Sequence, residues 1–346
     1  MSEKYTNDFR DKVDIHSTYK YSLLDWNESP TPSIPSVNDF LSKRVRDLKL
    51  NLYPNVSKKG LIEKLQLFNE TNKKILLYNG SDTFLKDLCM TFLSSGDTIS
   101  VIGPTYTQID PFISAMGSNK NLIIPDDIFK PKIIEMSDRM TNSKVVYLSN
   151  PNNPTGVLYK NKDILKLASL FPETIFVVDE AYIEFSKSDS IIKENIPDNI
   201  IISRSFSKAF GFAGIRLGYI ITSDKHYYEL EKINNPKSIN TIAQEVGTFA
   251  LSNINEVYRH VEAVVHNRDR LYDTLRDLHF DVYNSFGNFI LLKTKNSIEL
   301  INHCECKGII LRDRSSLPKM EGFIRISIGS KSQIDDLVKA LLEFQQ

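Results

Sequence analysis

The sequence predicts an α/β protein, with a large domain built on a mostly parallel sheet and a smaller α+β domain after it. From about residue 74, short apolar runs rich in β-branched residues alternate with longer helical patterns, and this alternation is typical of βαβ units. Several runs are apolar throughout, as expected for strands that are covered on both faces. From about residue 240 onward, helices are instead mixed with a few separate strands. A chain of 346 residues is long enough for both domains.

The large domain is predicted to span residues 36–236 and to hold a seven-stranded sheet. A helix is expected at Thr83–Leu93, because Ser94-Ser95-Gly96 is a common C-terminal stop. The domain boundary is placed near Pro236, because Asn234-Asn235-Pro236 favours a break in regular structure. The seven predicted strands are the apolar runs Ile75–Tyr78, Ile99–Ile102, Leu122–Ile124, Val145–Leu148, Ile175–Val178, Ile200–Ile202 and Leu217–Ile221.

The small domain is predicted to span residues 237–346. The first 35 residues contain no long periodic element. We therefore expect residues 1–35 to form an arm that packs against the small domain or against a partner subunit. The predicted helices of the small domain are Thr241–Leu251, Asn255–Leu278, Ser297–Lys307 and a last helix from Gln333, and its predicted strands are Asn288–Lys293, Ile309–Leu311 and Phe323–Ile328.

Composition argues against several classes of function. The 43 basic residues balance the 43 acidic ones, which gives no electrostatic case for nucleic acid or for a membrane surface. No run approaches the roughly 20 apolar residues of a membrane span, and residues 1–22 lack the apolar centre of a signal peptide. The cysteines, Cys89, Cys304 and Cys306, are an odd and sparse set that suits a reducing cytosol. The histidines show no metal-ligand spacing. We expect a cytoplasmic protein without a metal site.

The most specific segment surrounds Lys208. Ser205, Ser207 and Arg216 lie within a few residues of this lysine. A lysine that forms a Schiff base needs a fixed position and a lowered pKa. A phosphate nearby needs hydroxyl donors and a guanidinium that can grip it with two hydrogen bonds. The alternative is a solvated lysine on a surface loop, but the segment meets several of these requirements at once.

Asp179 directly follows the apolar run Ile175–Val178. The C-terminal ends of strands are where α/β sheets place ligand groups. Paired with the pyridine nitrogen of pyridoxal 5′-phosphate (PLP), this carboxylate would keep the nitrogen protonated and strengthen the ring as an electron sink. Tyr182 could reach the ring hydroxyl. A helix N-cap is the common alternative for such an aspartate, and its place upstream of Lys208 favours the cofactor interpretation.

Three weaker segments complete the candidate cofactor site. Asn153 lies in a stretch of Pro, Asn and Gly, residues 149–156, which alone would predict only turns. Residues 79–83, Asn-Gly-Ser-Asp-Thr, join a strand to a helix whose N-terminal N–H groups could cradle a phosphate. Tyr106 follows the next strand, where its ring could stack on a flat cofactor or simply pack in the core.

Together these segments resemble the fold-type I, class I/II PLP-dependent aminotransferases, and most closely the histidinol-phosphate aminotransferase family. The resemblance runs from Asn27-Glu28 to Arg325-Ile326-Ser327-Ile328-Gly329, with the motifs in the family's order. It implies that Lys208, Asp179 and Tyr182 are catalytic and that Lys208 holds PLP as a Schiff base. It also implies a homodimer in which Tyr53 reaches the neighbouring subunit's cofactor. The other implied cofactor-binding residues are Ser81, Asp82, Tyr106, Asn153, Ser205, Ser207 and Arg216.

The resemblance also implies exchange of an amino group between glutamate/2-oxoglutarate and a small phosphorylated keto substrate. Asn27, Arg312 and Arg325 would bind substrate, with Arg325 on the donor's carboxylate and Arg312 on the phosphate. The alternative for Arg312 is a local surface ion pair with Asp313. Residues 27–32 depart from the family's usual Asn-Glu-Asn-Pro followed by an aromatic residue and Gly. A triose phosphate is therefore an alternative substrate to histidinol phosphate. Decarboxylation of a phosphorylated amino acid is a second alternative, because it needs the same cofactor residues. A PLP-binding module without catalysis is disfavoured by the intact lysine, aspartate and arginine.

Overall fold

The computed structural model describes residues 21–345, so the first 20 residues of the predicted arm lie outside the described part of the chain. The strands of the described part are, in chain order, β1 (Ser22–Leu23), β2 (Lys74–Tyr78), β3 (Thr98–Ile102), β4 (Asn119–Ile123), β5 (Ser143–Ser149), β6 (Ile175–Asp179), β7 (Ile200–Ser205), β8 (Gly218–Thr222), β9 (Asp281–Tyr283), β10 (Phe289–Lys293), β11 (Ile309–Ile310), β12 (Arg312–Asp313) and β13 (Phe323–Ser327).

Five of the helices correspond to the helices predicted from the sequence. The longest of them buries residues spaced three or four apart, such as Val257, Val261 and Val264, which is the pattern of a helix with one face on the core. The helices are α1 (Val37–Arg44), α2 (Lys59–Asn69), α3 (Ser81–Phe92), α4 (Asp110–Ala115), α5 (Asn161–Leu170), α6 (Asp224–Glu231), α7 (Thr241–Ser252), α8 (Ile254–Asp277), α9 (Ser297–Cys306) and α10 (Lys331–Gln345). The five that were predicted are α3 and α7 to α10.

The large sheet contains all seven predicted strands, in the order β2-β8-β7-β6-β5-β3-β4. Strands β3 to β7 are parallel to one another. Strand β8 runs antiparallel to both of its neighbours, β2 and β7. The prediction of a mostly parallel seven-stranded sheet is therefore confirmed.

Both faces of this sheet are covered by apolar side chains, which explains why its strands are apolar throughout. In β5, Val146 and Leu148 pack in one core cluster, whereas Val145 and Tyr147 pack in another. Successive side chains of a strand point to opposite faces. The two clusters therefore lie on opposite sides of the sheet, as in sheets sandwiched between helices.

The carboxyl ends of the central strands bring polar residues to one edge of the sheet. Ser149 and Asp179 are the last residues of β5 and β6, and they are paired in register. Ser205 is the last residue of β7, where the chain turns toward Lys208. This is the edge at which α/β sheets bind ligands.

The C-terminal unit is an antiparallel sheet in the order β12-β13-β10-β9. Leu271 of α8, Leu300 of α9 and Leu337 of α10 belong to one hydrophobic cluster with this sheet. The predicted strand at Ile309–Leu311 is shorter than expected and lies outside this sheet, because β11 pairs in parallel with β1 instead. Strands β9 and β12, with three and two residues, were not predicted because they are too short to show a period.

The segment before α1 bridges the two units. Leu24 packs in the C-terminal cluster, and Ile34 packs in the cluster under the large sheet. The division into residues 36–236 and 237–346 stays a prediction, and α7, which follows Pro236, packs on the large unit through Ala243 and Val246. Within residues 21–345, none of the helices has both the length and the apolar character needed to cross a membrane.

Candidate active site

A cavity of about 460 Å³ lies at the carboxyl edge of the large sheet, where this edge faces the C-terminal unit. All predicted site residues line it except Asn27 and Tyr53. The lining residues are Trp26, Glu28, Ser81, Asp82, Tyr106, Ser149, Asn153, Asp179, Ala181, Tyr182, Ser205, Ser207, Lys208, Ala213, Gly214, Arg216, Arg312, Arg314 and Arg325.

Lys208 lies in the turn between β7 and β8, with its amine in the cavity. Its Nζ donates a hydrogen bond of 2.9 Å to the backbone oxygen of Trp26 and lies 5.8 Å from the centre of the Tyr182 ring. The lysine is therefore held between the large sheet and the segment before α1. A fixed amine inside a cavity is the arrangement that covalent catalysis by lysine requires.

Asp179 is a buried carboxylate at the end of β6. Its Oδ2 accepts a hydrogen bond of 2.9 Å from the Tyr147 hydroxyl, and its Oδ1 accepts one of 3.1 Å from the Ala181 N–H. Burial raises the pKa of Asp179 to about 6, although both hydrogen bonds act in the opposite direction. A protonated ring nitrogen beside this carboxylate would favour its ionised form. Asp179 therefore fits the pyridine end of PLP.

The cavity also has the donors that a phosphate needs. Helix α3 begins at Ser81 without a side-chain cap, so the N–H groups of its first turn have no partner within the helix. Ser205 and Ser207 lie close together, because the Ser205 Oγ accepts a hydrogen bond of 3.0 Å from the Ser207 N–H. A helix N-terminus flanked by hydroxyls is a favourable anion site.

Arg216 approaches the start of α3 from a left-handed backbone conformation, with φ at 55°. Its Nη2 donates to Asp82 Oδ2 at 3.2 Å, and Tyr106 donates to the other oxygen of this carboxylate at 2.8 Å. A Cβ on Gly80 would lie 2.4 Å from Arg216 Nη2. Glycine is therefore required for the guanidinium to reach this place, and left-handed strain of this kind is common at binding sites.

A chain of hydrogen bonds joins the cofactor side of the cavity to the C-terminal unit. The Tyr182 hydroxyl accepts from Asn27 Nδ2 at 3.1 Å and from Asn153 Nδ2 at 3.4 Å. Arg325 Nη1 donates to Asn153 Oδ1 at 2.7 Å, and Nη2 donates to the backbone oxygen of Asp25. Asn27 is fully buried, and Ser327 holds its side chain at 2.9 Å. Its role as a direct substrate contact stays a prediction.

Two strands of the C-terminal unit carry the arginines of the cavity wall. Arg312 of β12 lies directly opposite Arg325 of β13 in the register of the sheet. Asp313 points away from the cavity and accepts hydrogen bonds from Ser315. In the part of the chain that the structure describes, Arg312 and Asp313 form no ion pair. The arrangement supports a binding role for Arg312 over the local ion pair.

Tyr53 lies outside the cavity of its own chain. Its side chain is 79 % exposed, and Lys237 Nζ lies 4.3 Å from the centre of its ring. A role toward the cofactor therefore requires a second subunit, as the sequence predicts.

Some residues in or next to the cavity were not predicted as site residues. Trp26 and Glu28 flank Asn27 and line the cavity in its place. Tyr147 bonds to Asp179 from the neighbouring strand. Arg314 follows β12 by one residue. A signal for Arg314 exists, because it lies two residues after the predicted site residue Arg312 and so shares a strand face with it.

The cavity thus contains, in one place, a fixed lysine, a buried carboxylate and an anion-binding helix end, on a doubly covered α/β sheet. These features define a PLP-dependent enzyme of the aminotransferase fold. The chain belongs to the class I and II aminotransferases, whose family pattern it matches over residues 22–341.

Named relatives agree with this assignment. The chain is 34 % identical to a histidinol-phosphate aminotransferase from Ruminiclostridium cellulolyticum, over 92 % of this chain and 91 % of the relative. It is 31 % identical to a dihydroxyacetone phosphate transaminase from Campylobacter jejuni, over 93 % of this chain and 89 % of the relative. A solved histidinol-phosphate aminotransferase from Sinorhizobium meliloti, in complex with PLP, shares the fold with a TM-score of 0.85 at 22 % identity, over 95 % of this chain and 91 % of that one.

The protein is a PLP-dependent aminotransferase, and the residues present fit the cofactor at both ends. The glycine at position 80 leaves room for the Arg216 guanidinium beside the uncapped helix, and the buried carboxylate of Asp179 lies at the other end. When bound, PLP supplies an electron sink that stabilises negative charge on the substrate's α-carbon.

Proposed function

We propose that this aminotransferase exchanges an amino group between glutamate/2-oxoglutarate and a small phosphorylated keto substrate. The observation that supports this most is the pair Arg312 and Arg325, which lie opposite each other on β12 and β13 and line the cavity with Lys208. Arg325 is buried, with 3 % of its surface exposed. Its two terminal nitrogens donate to Asn153 and to the backbone oxygen of Asp25. These acceptors offset the cost of burying a guanidinium and hold it at the cavity wall. One arginine serves a carboxylate, and the second serves a phosphate.

The proposed roles are those that the resemblance to the family implies, and the residues that carry them lie in or next to the cavity. Lys208 holds the cofactor and moves a proton to and from the substrate's α-carbon. Asp179 keeps the ring nitrogen protonated, and Tyr147 orients that carboxylate. Tyr182 and Asn153 hydrogen-bond to the ring oxygen, and Tyr106 stacks on the ring. The cofactor's phosphate is bound by the amides of Ser81 and Asp82 and by the side chains of Ser205, Ser207 and Arg216.

Histidinol phosphate is the leading candidate for the phosphorylated compound, because a relative of that name is 34 % identical over 92 % of the chain. Dihydroxyacetone phosphate is the second candidate, since a relative named as its transaminase is 31 % identical over 93 % of the chain. The second candidate also agrees with Ser29-Pro30-Thr31-Pro32, where the family usually has an aromatic residue and a glycine.

We also propose a homodimer with shared active sites and a cytoplasmic location. Tyr53 supports the first, because its side chain is exposed and does not line the cavity formed by the described residues of its own chain. The second is supported by Cys89, Cys304 and Cys306, which are all free thiols, as expected in a reducing compartment.

The first prediction tests the cofactor lysine. The purified protein should be yellow with bound PLP, and borohydride should fix the cofactor to Lys208 and remove the colour. Peptide mapping by mass spectrometry locates the modified lysine. Lys58, which is also buried, is an internal control that should stay unmodified. Labelling of a different lysine would contradict the assignment.

The second prediction tests the substrate class. Glutamate alone should convert the bound cofactor to its amino form, which a decarboxylase would not do productively. Phosphorylated ketones should then restore it, and their unphosphorylated counterparts should do so much more slowly. Arg312→Ala should lower kcat/KM for the phosphorylated ketone by about 10- to 100-fold and affect the glutamate half-reaction much less. Equal losses in both half-reactions would make Arg312 structural, and turnover of unphosphorylated ketones alone would reject the substrate class.

A further inference from the structure

Besides Arg312 and Arg325, the C-terminal unit places a third guanidinium on the cavity wall, and the proposed function gives it no role. Arg314 follows β12, and its N–H donates to the backbone oxygen of Phe323 at 2.8 Å. This bond continues the ladder between β12 and β13 by one step. Arg314 therefore has the extended conformation of the strand residues before it.

Extended conformation decides where the side chains point, because side chains two residues apart lie on the same face of a sheet. Arg312 and Arg314 accordingly both line the cavity, and Asp313 between them does not. Neighbouring residues on one face of a strand are roughly 7 Å apart at the backbone, and both guanidiniums reach forward on flexible stems. Two such groups can contact the same small anion.

The charges on this side of the cavity match a dianion. Among the described residues that line this side, Arg312, Arg314 and Arg325 contribute three positive charges, and Glu28 contributes one negative charge. An α-carboxylate needs one guanidinium. A phosphate monoester carries a charge of about −1.5 to −2 at neutral pH and has three acceptor oxygens, so it is better matched by two guanidiniums than by one.

We propose that Arg314 is a specificity-determining residue, which binds the substrate's phosphate dianion together with Arg312 and so selects phosphorylated substrates over carboxylated ones. This inference rests on the proposed function, since it concerns the same substrate phosphate. The second guanidinium strengthens the binding of a dianion much more than the binding of a monoanion, which explains the selectivity.

The test measures binding without turnover. Glycerol 3-phosphate and glycerate are probes with two charges and one charge, and neither has the amine or carbonyl group that transamination needs. Calorimetry with the PLP-loaded enzyme keeps the cofactor's own phosphate site filled. Arg314→Gln should weaken binding of glycerol 3-phosphate by about tenfold or more, and of glycerate by less than about threefold. Arg314→Lys should restore part of the loss.

Two further variants make the result specific. Arg276→Gln is the matched control, because Arg276 is an exposed arginine paired with Asp273 and Asp277 on the surface of α8. This variant should bind both probes as tightly as the wild type does. In the double variant Arg312→Gln/Arg314→Gln, the combined loss should be smaller than the product of the single losses, because both residues hold one phosphate.

The outcomes separate this inference from the proposed function. If the wild type transaminates a phosphorylated ketone but Arg314→Gln binds glycerol 3-phosphate as tightly, Arg314 is not a phosphate ligand and the substrate class survives. Equal losses of affinity for both probes, or independent effects of the two substitutions in the double variant, would also contradict the binding of one phosphate by Arg312 and Arg314 together. If the wild type uses no phosphorylated ketone, the proposed function fails and this inference fails with it.

Discussion

The cost of burying Asp179 shows how a single residue is adapted to its ligand. Without a positive partner, the buried carboxylate holds its proton more tightly, and its pKa rises from 3.8 to about 6. Between these two values the folded chain binds more protons than the unfolded chain, so folding stability falls as the pH rises through this window. Above pH 6 the full cost is present. Binding of a protonated ring nitrogen reverses the cost, because it supplies the missing positive charge.

Removing the negative charge of Asp179 should therefore stabilise the cofactor-free protein and abolish the activity of the PLP-loaded enzyme. In Asp179→Asn, the amide oxygen can still accept a hydrogen bond from the Tyr147 hydroxyl, but this side chain carries no charge. At pH 8 the free energy of unfolding should rise by about 1–3 kcal/mol, and the gain should shrink at pH 5. Urea unfolding of the cofactor-free protein measures both values.

The rate of the glutamate half-reaction should fall by orders of magnitude in the same variant, because the ring is a poor electron sink when its nitrogen is not protonated. Borohydride trapping on Lys208 is the control for cofactor binding. A variant that is no more stable at pH 8, or one that turns over normally, would contradict the role of Asp179.

At the scale of residues, the sequence singled out lysine, aspartate and arginine side chains that line one cavity in the structure, and their roles stay predictions. Lysine, aspartate and arginine at strand ends are unusual enough to attract attention. Trp26 was missed because it takes part through its backbone oxygen, which accepts from Lys208, and a backbone contact leaves no trace in residue type. Tyr147 was missed because a tyrosine inside an apolar strand is typical of core packing.

A buried ionic network ties the ends of β6 and β7 together behind the cavity. Arg204 donates to Glu180 at 3.1 Å and to Glu184 at 2.7 Å, and Ser190 also donates to Glu180. Glu180 follows Asp179 and Arg204 precedes Ser205 in the sequence. Neither Glu180 nor Arg204 lines the cavity. Burial raises the pKa of Glu180, whereas the Arg204 cation lowers it. The network therefore fixes two strand ends at once.

Removing the cation should leave buried carboxylates without a partner. Arg204→Met is expected to lower the free energy of unfolding by about 3–5 kcal/mol at pH 8. The pKa of Glu180 should then rise further, so the loss should be smaller at pH 6 than at pH 8. Thermal and urea unfolding at the two pH values measure this. The double variant Arg204→Met/Glu180→Gln should recover part of the stability, and a double variant that is less stable than the single one would show that the network is not electrostatic.

At the scale of elements, the alternating apolar runs predicted every strand of the large sheet, because full burial on both faces makes these strands conspicuous. The prediction was weaker in the C-terminal unit. Strand β12 has two residues, and its existence depends on pairing with β13 rather than on its own sequence. This pairing places Arg312 opposite Arg325. The position of the two arginines relative to each other could therefore not be predicted from the sequence alone.

Among residues 21–345, the loop between α1 and α2 exposes a group of neighbouring apolar side chains. Leu50, Leu52, Tyr53 and Val56, in the loop between α1 and α2, are each more than half exposed. Contiguous exposed apolar residues often mark a protein–protein interface. The loop is held on the large unit, since Gln244 of α7 donates to the backbone oxygen of Asn55 at 3.2 Å. We expect this loop to be covered by a second copy of the chain, with Tyr53 directed into that copy's cavity.

Complementation between two inactive variants tests this arrangement directly. Lys208→Ala removes the cofactor lysine, and Tyr53→Asp should weaken cofactor binding strongly, because it places a negative charge near the phosphate. In a heterodimer of these two variants, one site combines Lys208 from the second chain with Tyr53 from the first, and is native. Differently tagged chains that are co-expressed and purified as heterodimers should have about half the native activity, although each homodimer is nearly inactive. If Tyr53 instead served its own chain, the heterodimer would contain no native site and would stay inactive. A fully active monomer in light scattering would reject the shared site altogether.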